Sequence, residues 1–219
     1  MNLNNSKIPA IVLGGGITAL GVVRSLAKYK IPTFLISSRS EYVGYSRGVT
    51  QIKCDLNEFP SPDELSTILN RLDLEKSVLF PCSDSLLNSV VNLPDNINSR
   101  YLTSLPSRKV VQLMTNKDEF ANALIESNIP HPQTEMIKNE DQIRVNSDKI
   151  SANFFLKPCN SKEFFSQFHV KAFNVKNEQD ALNKYRESQK FGLNLLLQEY
   201  IPGSSDQHFF VDGFVDRNI

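Results

Sequence analysis

Residues 8–14 form a short apolar run that ends in Gly14-Gly15-Gly16, and a segment with Leu20, Val23, Leu26 and Ala27 on one helical face follows at once. Lys30-Ile31-Pro32 stops that segment, and Thr33-Phe34-Leu35-Ile36 is a second apolar run. Strand, helix and strand joined by short turns leave one economical arrangement, two parallel strands with the helix crossing over one sheet face. The constraint propagates. Val49 to Cys54 reads as a third strand. Ser61-Pro62-Asp63-Glu64 has a capping Ser, a Pro at the first helical position and acids in the first turn, which predicts a helix to about Leu72. Val78-Leu79-Phe80-Pro81 predicts another strand, with a helix from Asp84 to Leu93 behind it. The alternation predicts a mostly parallel sheet covered on both faces and ending near Ser104.

Beyond that point the pattern changes. Helices are predicted over Ser107–Leu113 and Asn116–Ser127, the second broken by Asn128-Ile129-Pro130-His131-Pro132. Strands are predicted at Thr134–Ile137, Phe154–Lys157, Val170–Val175, Leu195–Tyr200 and Phe209–Val215, with one helix over Glu178–Lys190 among them. Ser161 to Ser166 reads as a flexible hairpin loop. Strands now outnumber helices, so a second domain of α+β type is expected, with the boundary after residue 106: residues 1–106 Rossmann-like, residues 107–219 α+β.

Composition excludes several classes. Lys plus Arg and Asp plus Glu number 24 each, without the net basic surface of a nucleic-acid binder. No apolar run reaches membrane-spanning length, and Met1 to Lys7 lacks the charged-then-apolar order of a signal peptide. Cys54, Cys82 and Cys159 are odd in number and far apart, which reads as reduced cytoplasmic thiols. His131, His169 and His208 have no metal-ligand spacing.

Several positions carry candidate chemistry. Gly14-Gly15-Gly16-Ile17-Thr18-Ala19 fits G-x-G-x-x-A between a strand and a helix. The glycines either admit a dinucleotide phosphate or only permit a tight turn. The second strand ends in Ser37-Ser38-Arg39 rather than an acid, so the dinucleotide would be NADP, with Arg39 on its 2′-phosphate. Asp84 follows a strand end, where it either lines a substrate pocket or caps the next helix. Cys82 has no base beside it in sequence and is a poor nucleophile candidate. Lys117 stands in the first turn of a helix, against the local dipole, where it needs an anionic partner or full solvation. Lys157 closes the apolar strand Phe154-Phe155-Leu156, reaching outward or toward a bound anion. Leu195 to Leu197 run into Gln198-Glu199-Tyr200-Ile201-Pro202-Gly203, a segment whose backbone can pair with the edge of a flat base.

Taken in order, these features resemble the ATP-grasp superfamily, in the branch of carbamoyl-phosphate-synthase-like proteins and carboxylate–amine ligases of the D-aspartate ligase type. The similarity covers nearly the whole chain. Asn116-Lys117-Asp118-Glu119-Phe120 with Asn128-Ile129-Pro130-His131-Pro132-Gln133-Thr134 resembles the family's lysine helix and its G-I-P-x-P-x-T exit, Asn128 replacing the glycine. Phe155-Leu156-Lys157-Pro158 resembles the second lysine strand and Gln198 to Gly203 the adenine hinge. The resemblance implies an α/β protein: an N-terminal pre-ATP-grasp Rossmann-like parallel sheet, followed by a partial α+β ATP-grasp domain. It implies Lys117 and Lys157 on ATP phosphates and Gln198 near the adenine amino group. It also implies the backbones of Glu199 and Ile201 on the adenine edge with Tyr200 between them, and Asp206 near the ribose. Cys159-Asn160-Ser161-Lys162 is poorer in glycine than the family's phosphate loop.

Family members continue through much of another domain that carries the magnesium ligands and a catalytic arginine. Asp206, Asp212 and Asp216 do not have that spacing, so those groups are expected beyond Ile219 and this chain alone is expected not to turn over ATP. The implied reaction joins a small-molecule carboxylate to an amine through an acyl phosphate, with ATP and Mg2+, in the cytoplasm, without nucleic-acid or membrane partners; a homodimer is one expectation. An NADP-dependent oxidoreductase and a non-catalytic nucleotide-binding module stand as alternatives.

Overall fold

Short β-branched and leucine-rich segments build the first sheet. In the computed structural model, which describes residues 7–37, 42–54, 56–57, 60–159, 161–207, 209, 211 and 213 (side chains at 118, 151, 162 and 205 excepted), β1 (Ala10–Leu13) is fully buried. It pairs in parallel with β2 (Thr33–Ile36) and β4 (Ser77–Pro81). β3 (Val49–Ile52) extends the sheet beyond β2, and β5 (Tyr101–Leu102) extends it beyond β4, giving the order β3-β2-β1-β4-β5. The alternation of side chains across β1 divides the core in two. Val12 joins Ala19 and Val23 of α1 (Gly16–Lys28) on one face. Ile11 and Leu13 join Leu65 and Leu69 of α2 (Pro62–Asn70) and Leu86 and Val90 of α3 (Asp84–Val91) on the other. Ile97 of α4 (Asp95–Asn98), a short helix with little sequence signal, completes that second face.

Caps set the helix starts. The Ser61 hydroxyl accepts from the Glu64 amide at 3.1 Å, as the Ser-Pro-Asp-Glu run predicts. At α3 the cap is Ser83, whose hydroxyl accepts from the Leu86 amide at 3.3 Å. Asp84 is therefore not the cap. It is the first helical residue, exposed, where its charge complements the helix N-terminus.

The chain divides into two compact units, Met1–Thr115 and Asn116–Ile219. Helix α5 (Arg108–Thr115) packs on α3 within the first. The second unit opens with α6 (Lys117–Glu126) and is built on an antiparallel sheet of order β6-β9-β7-β8. Its strands are β6 (Thr134–Ile137), β7 (Phe154–Pro158), β8 (Phe173–Asn174) and β9 (Leu195–Glu199). Ile137, Leu156, Leu195 and Leu197 share one face and pack under three helices. These are α7 (Glu140–Val145), α8 (Ser147–Ser151) and α10 (Glu178–Gln189), which contribute Ile143, Ile150 and Ala181, Leu182 and Tyr185.

Two expectations are corrected. Ser161 to Ser166 is not a hairpin loop but part of α9 (Ser161–Phe168). Phe164 is 0% exposed and meets Phe168 and Phe173 at ring-centroid distances of 4.8 and 4.7 Å, so burial of three aromatic rings stabilises a turn sequence as a helix. The strand expected over Val170–Val175 shrinks to β8, because α9 occupies the chain up to Phe168 and His169 leaves it with φ +55. The strand expected over Phe209–Val215 lies mainly outside the described residues.

Candidate functional site

The two faces of the second sheet have different chemistry. One is the leucine–isoleucine core. By register, Thr134 and Met136 of β6, Leu196 and Gln198 of β9, and Phe155 and Lys157 of β7 share the opposite face. Helix α6 covers part of it, and a cavity of about 160 Å³ remains, lined by Lys117, Phe120, Leu124, Lys157, Leu196 and Gln198 among others. Three residues that sequence spacing singled out, Lys117, Lys157 and Gln198, thus border one space.

Each of these groups has partners. Lys157 Nζ donates to Gln198 Oε1 at 3.3 Å, and Gln198 Nε2 donates to Thr134 Oγ1 at 2.9 Å. Lys117 Nζ donates to the Pro158 carbonyl at 3.2 Å and to the Ser161 hydroxyl at the start of α9. The cavity is half apolar, with Leu196 only 3% exposed at its floor, so a charge entering it is less screened than at the open surface.

The hinge segment divides. Glu199 is committed to the sheet: its amide donates to Gln133 O at 2.8 Å and its carboxylate accepts from the Gln133 amide at 3.0 Å. Tyr200 donates its amide to Asn153 O at 2.9 Å, and its half-exposed ring stands edge-on to Phe155 at 6.4 Å. These two rings and Asn174 border an open depression of about 440 Å³ at the end of the same strands. Ile201 is 59% exposed. Asp206 lies in a 3-10 turn, Ser205–Gln207, where the Ser204 hydroxyl donates to it and holds its carboxyl below the usual range.

In the first unit Gly14 has φ +99 and Gly16 has φ +72, whereas Gly15 is extended. A Cβ on Gly14 would stand 2.7 Å from Leu86 Cδ1. These two glycines serve a left-handed turn and close helix approach. Cys82 is part-buried, donates to the Phe80 carbonyl at 3.5 Å, and is pushed up to about 11 by that burial, which makes it a protonated, unreactive thiol. Arg39, Asp212 and Asp216 lie outside the described residues. Among the described residues no three Asp, Glu, His or Cys side chains converge on a metal position. In the sequence Thr134 only ends a motif and opens a strand; its place opposite Gln198 is set by the β6–β9 register, which no local pattern reveals.

No protein-family model matches the chain. It is 22% identical over 235 residues to a D-aspartate ligase of Enterococcus faecium (strain Aus0004), covering 99% of this chain and 55% of that protein. The phosphoribosylamine–glycine ligase of Thermotoga maritima superposes with a TM-score of 0.62 and 13% identity, over 90% of this chain and 45% of that one. The biotin carboxylase domain dimer of Hydrogenobacter thermophilus 2-oxoglutarate carboxylase, solved with MgADP and bicarbonate, gives 0.61 and 16%, over 89% and 45%. These structural neighbours are ATP-grasp proteins, and the chain shares their fold, a five-stranded parallel sheet followed by a four-stranded antiparallel sheet. The chain spans about half the length of the proteins it matches. These are ligases and a carboxylase, and nothing in them supports the NADP-dependent oxidoreductase reading.

Proposed function

We propose that this chain is the ATP-binding portion of a ligase that activates a small-molecule carboxylate as an acyl phosphate and transfers the acyl group to an amine. The carrying observation is the convergence of Lys117, Lys157 and Gln198 on one cavity above the β6-β9-β7 face. At about 160 Å³ the cavity is smaller than the ~300–1,000 Å³ of a typical ligand pocket, so it would take one end of a nucleotide. The phosphates would lie between Lys117 and Lys157. The base would extend along Phe155 and Gln198 toward Tyr200, pairing with the Glu199 carbonyl and the Ile201 amide, since the Glu199 amide is already committed to Gln133. Asp206 would stand near the ribose.

In the reaction a carboxylate oxygen attacks the γ-phosphorus and ADP leaves. The amine nitrogen then attacks the acyl carbon, phosphate leaves and the nitrogen loses a proton. The lysines would offset charge on the phosphoryl oxygens throughout. Magnesium, which the fold family implies, finds no cluster of ligating side chains among the described residues. Asp84 would be a candidate substrate contact of the first unit. Cys54, Cys82 and Cys159, none of them in a disulfide, support a cytoplasmic setting, and among the described residues no helix is long and apolar enough to cross a membrane.

Titration calorimetry with ADP, with and without magnesium, and with NADPH tests the reading. Saturable ADP binding at one site without NADPH binding is expected. NADPH binding in the absence of ADP binding overturns it.

A further inference from the structure

The hydrogen bonds beneath the cavity run in one direction. The Thr134 hydroxyl has a single proton, and it donates that proton to the Pro132 carbonyl at 2.9 Å. It must therefore accept from its other neighbour, the Gln198 Nε2 at 2.9 Å. With the nitrogen end of the carboxamide fixed there, the oxygen end faces the other way, where it accepts from Lys157 Nζ at 3.3 Å. A reversed amide would set an NH2 group against an ammonium and leave two donors facing each other. Both ends of Gln198 thus demand the same orientation.

The chain Lys157 to Gln198 to Thr134 to Pro132 crosses three adjacent strands, β7, β9 and β6, on one face. Thr134 stands directly opposite Gln198 in the register, and Lys157, opposite Leu196, is a diagonal neighbour that a long side chain reaches. We infer that Thr134 is a positioning residue: its hydroxyl fixes the direction of the Gln198 amide and, through it, holds the Lys157 ammonium at the cavity. A lysine stem has four rotatable bonds, so an ammonium held before a ligand arrives loses less freedom on binding. What the held ammonium meets rests on the nucleotide reading above; the positioning does not.

Two variants and two readouts test this. Thr134→Val keeps the shape and removes the hydroxyl; Thr134→Ser keeps the hydroxyl. The side-chain amide resonances of Gln198 are identified by their loss in Gln198→Met. In the unmodified chain and in Thr134→Ser the two amide protons should be inequivalent and slow to exchange; in Thr134→Val they should shift and exchange faster. ADP affinity should fall roughly three- to tenfold in Thr134→Val, the effect of one neutral hydrogen bond, and recover to within about twofold in Thr134→Ser. An unchanged Gln198 amide signal in Thr134→Val overturns the inference, as does Thr134→Ser binding no better than Thr134→Val. If the amide responds as expected but the unmodified chain binds no ADP, the positioning stands and the nucleotide reading falls.

Discussion

Replacing Lys157 by Met removes the charge and keeps most of the stem that packs beside Leu196. The ammonium makes a 3.3 Å contact with an uncharged amide oxygen and, among the described residues, no ion pair. Its loss should therefore leave the melting temperature unchanged within a degree or two, since the half-buried charge is only weakly compensated. Binding should respond differently. A charge-assisted hydrogen bond to phosphate contributes about 1.5–3 kcal/mol, which corresponds to roughly a ten- to hundredfold loss of ADP affinity. Lys138→Met is the matched control: Lys138 lies just past β6, exposed, and its backbone amide donates to Gln142 Oε1 at 2.6 Å. Calorimetric titration of both variants with ADP gives the comparison. Equal affinities would refute the placement of phosphate at Lys157. A large fall in melting temperature for Lys157→Met alone would show that the lysine supports the fold instead.

Gly16→Ala and Gly14→Ala should each destabilise the first unit by about 1–2 kcal/mol, because both positions have positive φ. Gly14→Ala should be the worse, since the new methyl also displaces Leu86, while Gly15→Ala should be nearly neutral; chemical denaturation ranks the three, and an order led by Gly15 would contradict the turn geometry. In the second unit a hydrogen bond from Lys149, aided by Asn146, holds Glu135 below its ordinary range. Glu140 is lowered in the same way by Arg186, which bonds it at 2.7 Å through two nitrogens. A depressed carboxyl stabilises the fold above the unfolded value of about 4.3 and loses that contribution as pH falls through the folded value. The difference in melting temperature between the unmodified chain and Glu135→Gln should be largest near neutrality and shrink below about pH 4; a difference that grows on acidification contradicts the assignment.

What could be read from the sequence follows the range of the forces involved. β1, α1 and β2 announce themselves because each has its own periodicity and its own stops, and Ser61 caps α2 as its neighbours predict. α7 and α8 have a weaker local signal, although Asn139 accepts from the Gln142 amide at 3.1 Å and Ile143 and Ile150 are buried seven residues apart. α9 was beyond local reading. Ser161 and Ser166 argue for a turn, and only the packing of Phe164 on Phe168 and Phe173 decides for helix. The same holds at the cavity. Residue types marked Lys117, Lys157 and Gln198, but their meeting depends on the β6-β9-β7 strand order and on α6 lying over one face. The role of Thr134 needs the directions of hydrogen bonds, which a sequence does not contain.

The strand order of the second sheet also bears on how the chain is made. β9, which lies between β6 and β7, is the last of the four in sequence, and its contact from Gln198 to Thr134 spans 64 residues. On a ribosome the middle of the sheet is therefore delivered after its flanks. At ~5–20 residues per second, the ~60 residues from the end of β6 to the end of β9 take roughly 3–12 s, far longer than local helices need to form. During that interval Phe154, Phe155 and Leu156 have β8 as a neighbour and nothing on their other edge, a sticky ribbon of the kind that holding chaperones bind. The first unit has the five strands of its described sheet by Leu102 and faces no such wait. Vectorial synthesis should thus yield a folded N-terminal unit tethered to an unfinished sheet, and slowing translation just before Leu195 should raise aggregation of the nascent chain more than slowing it after Glu199.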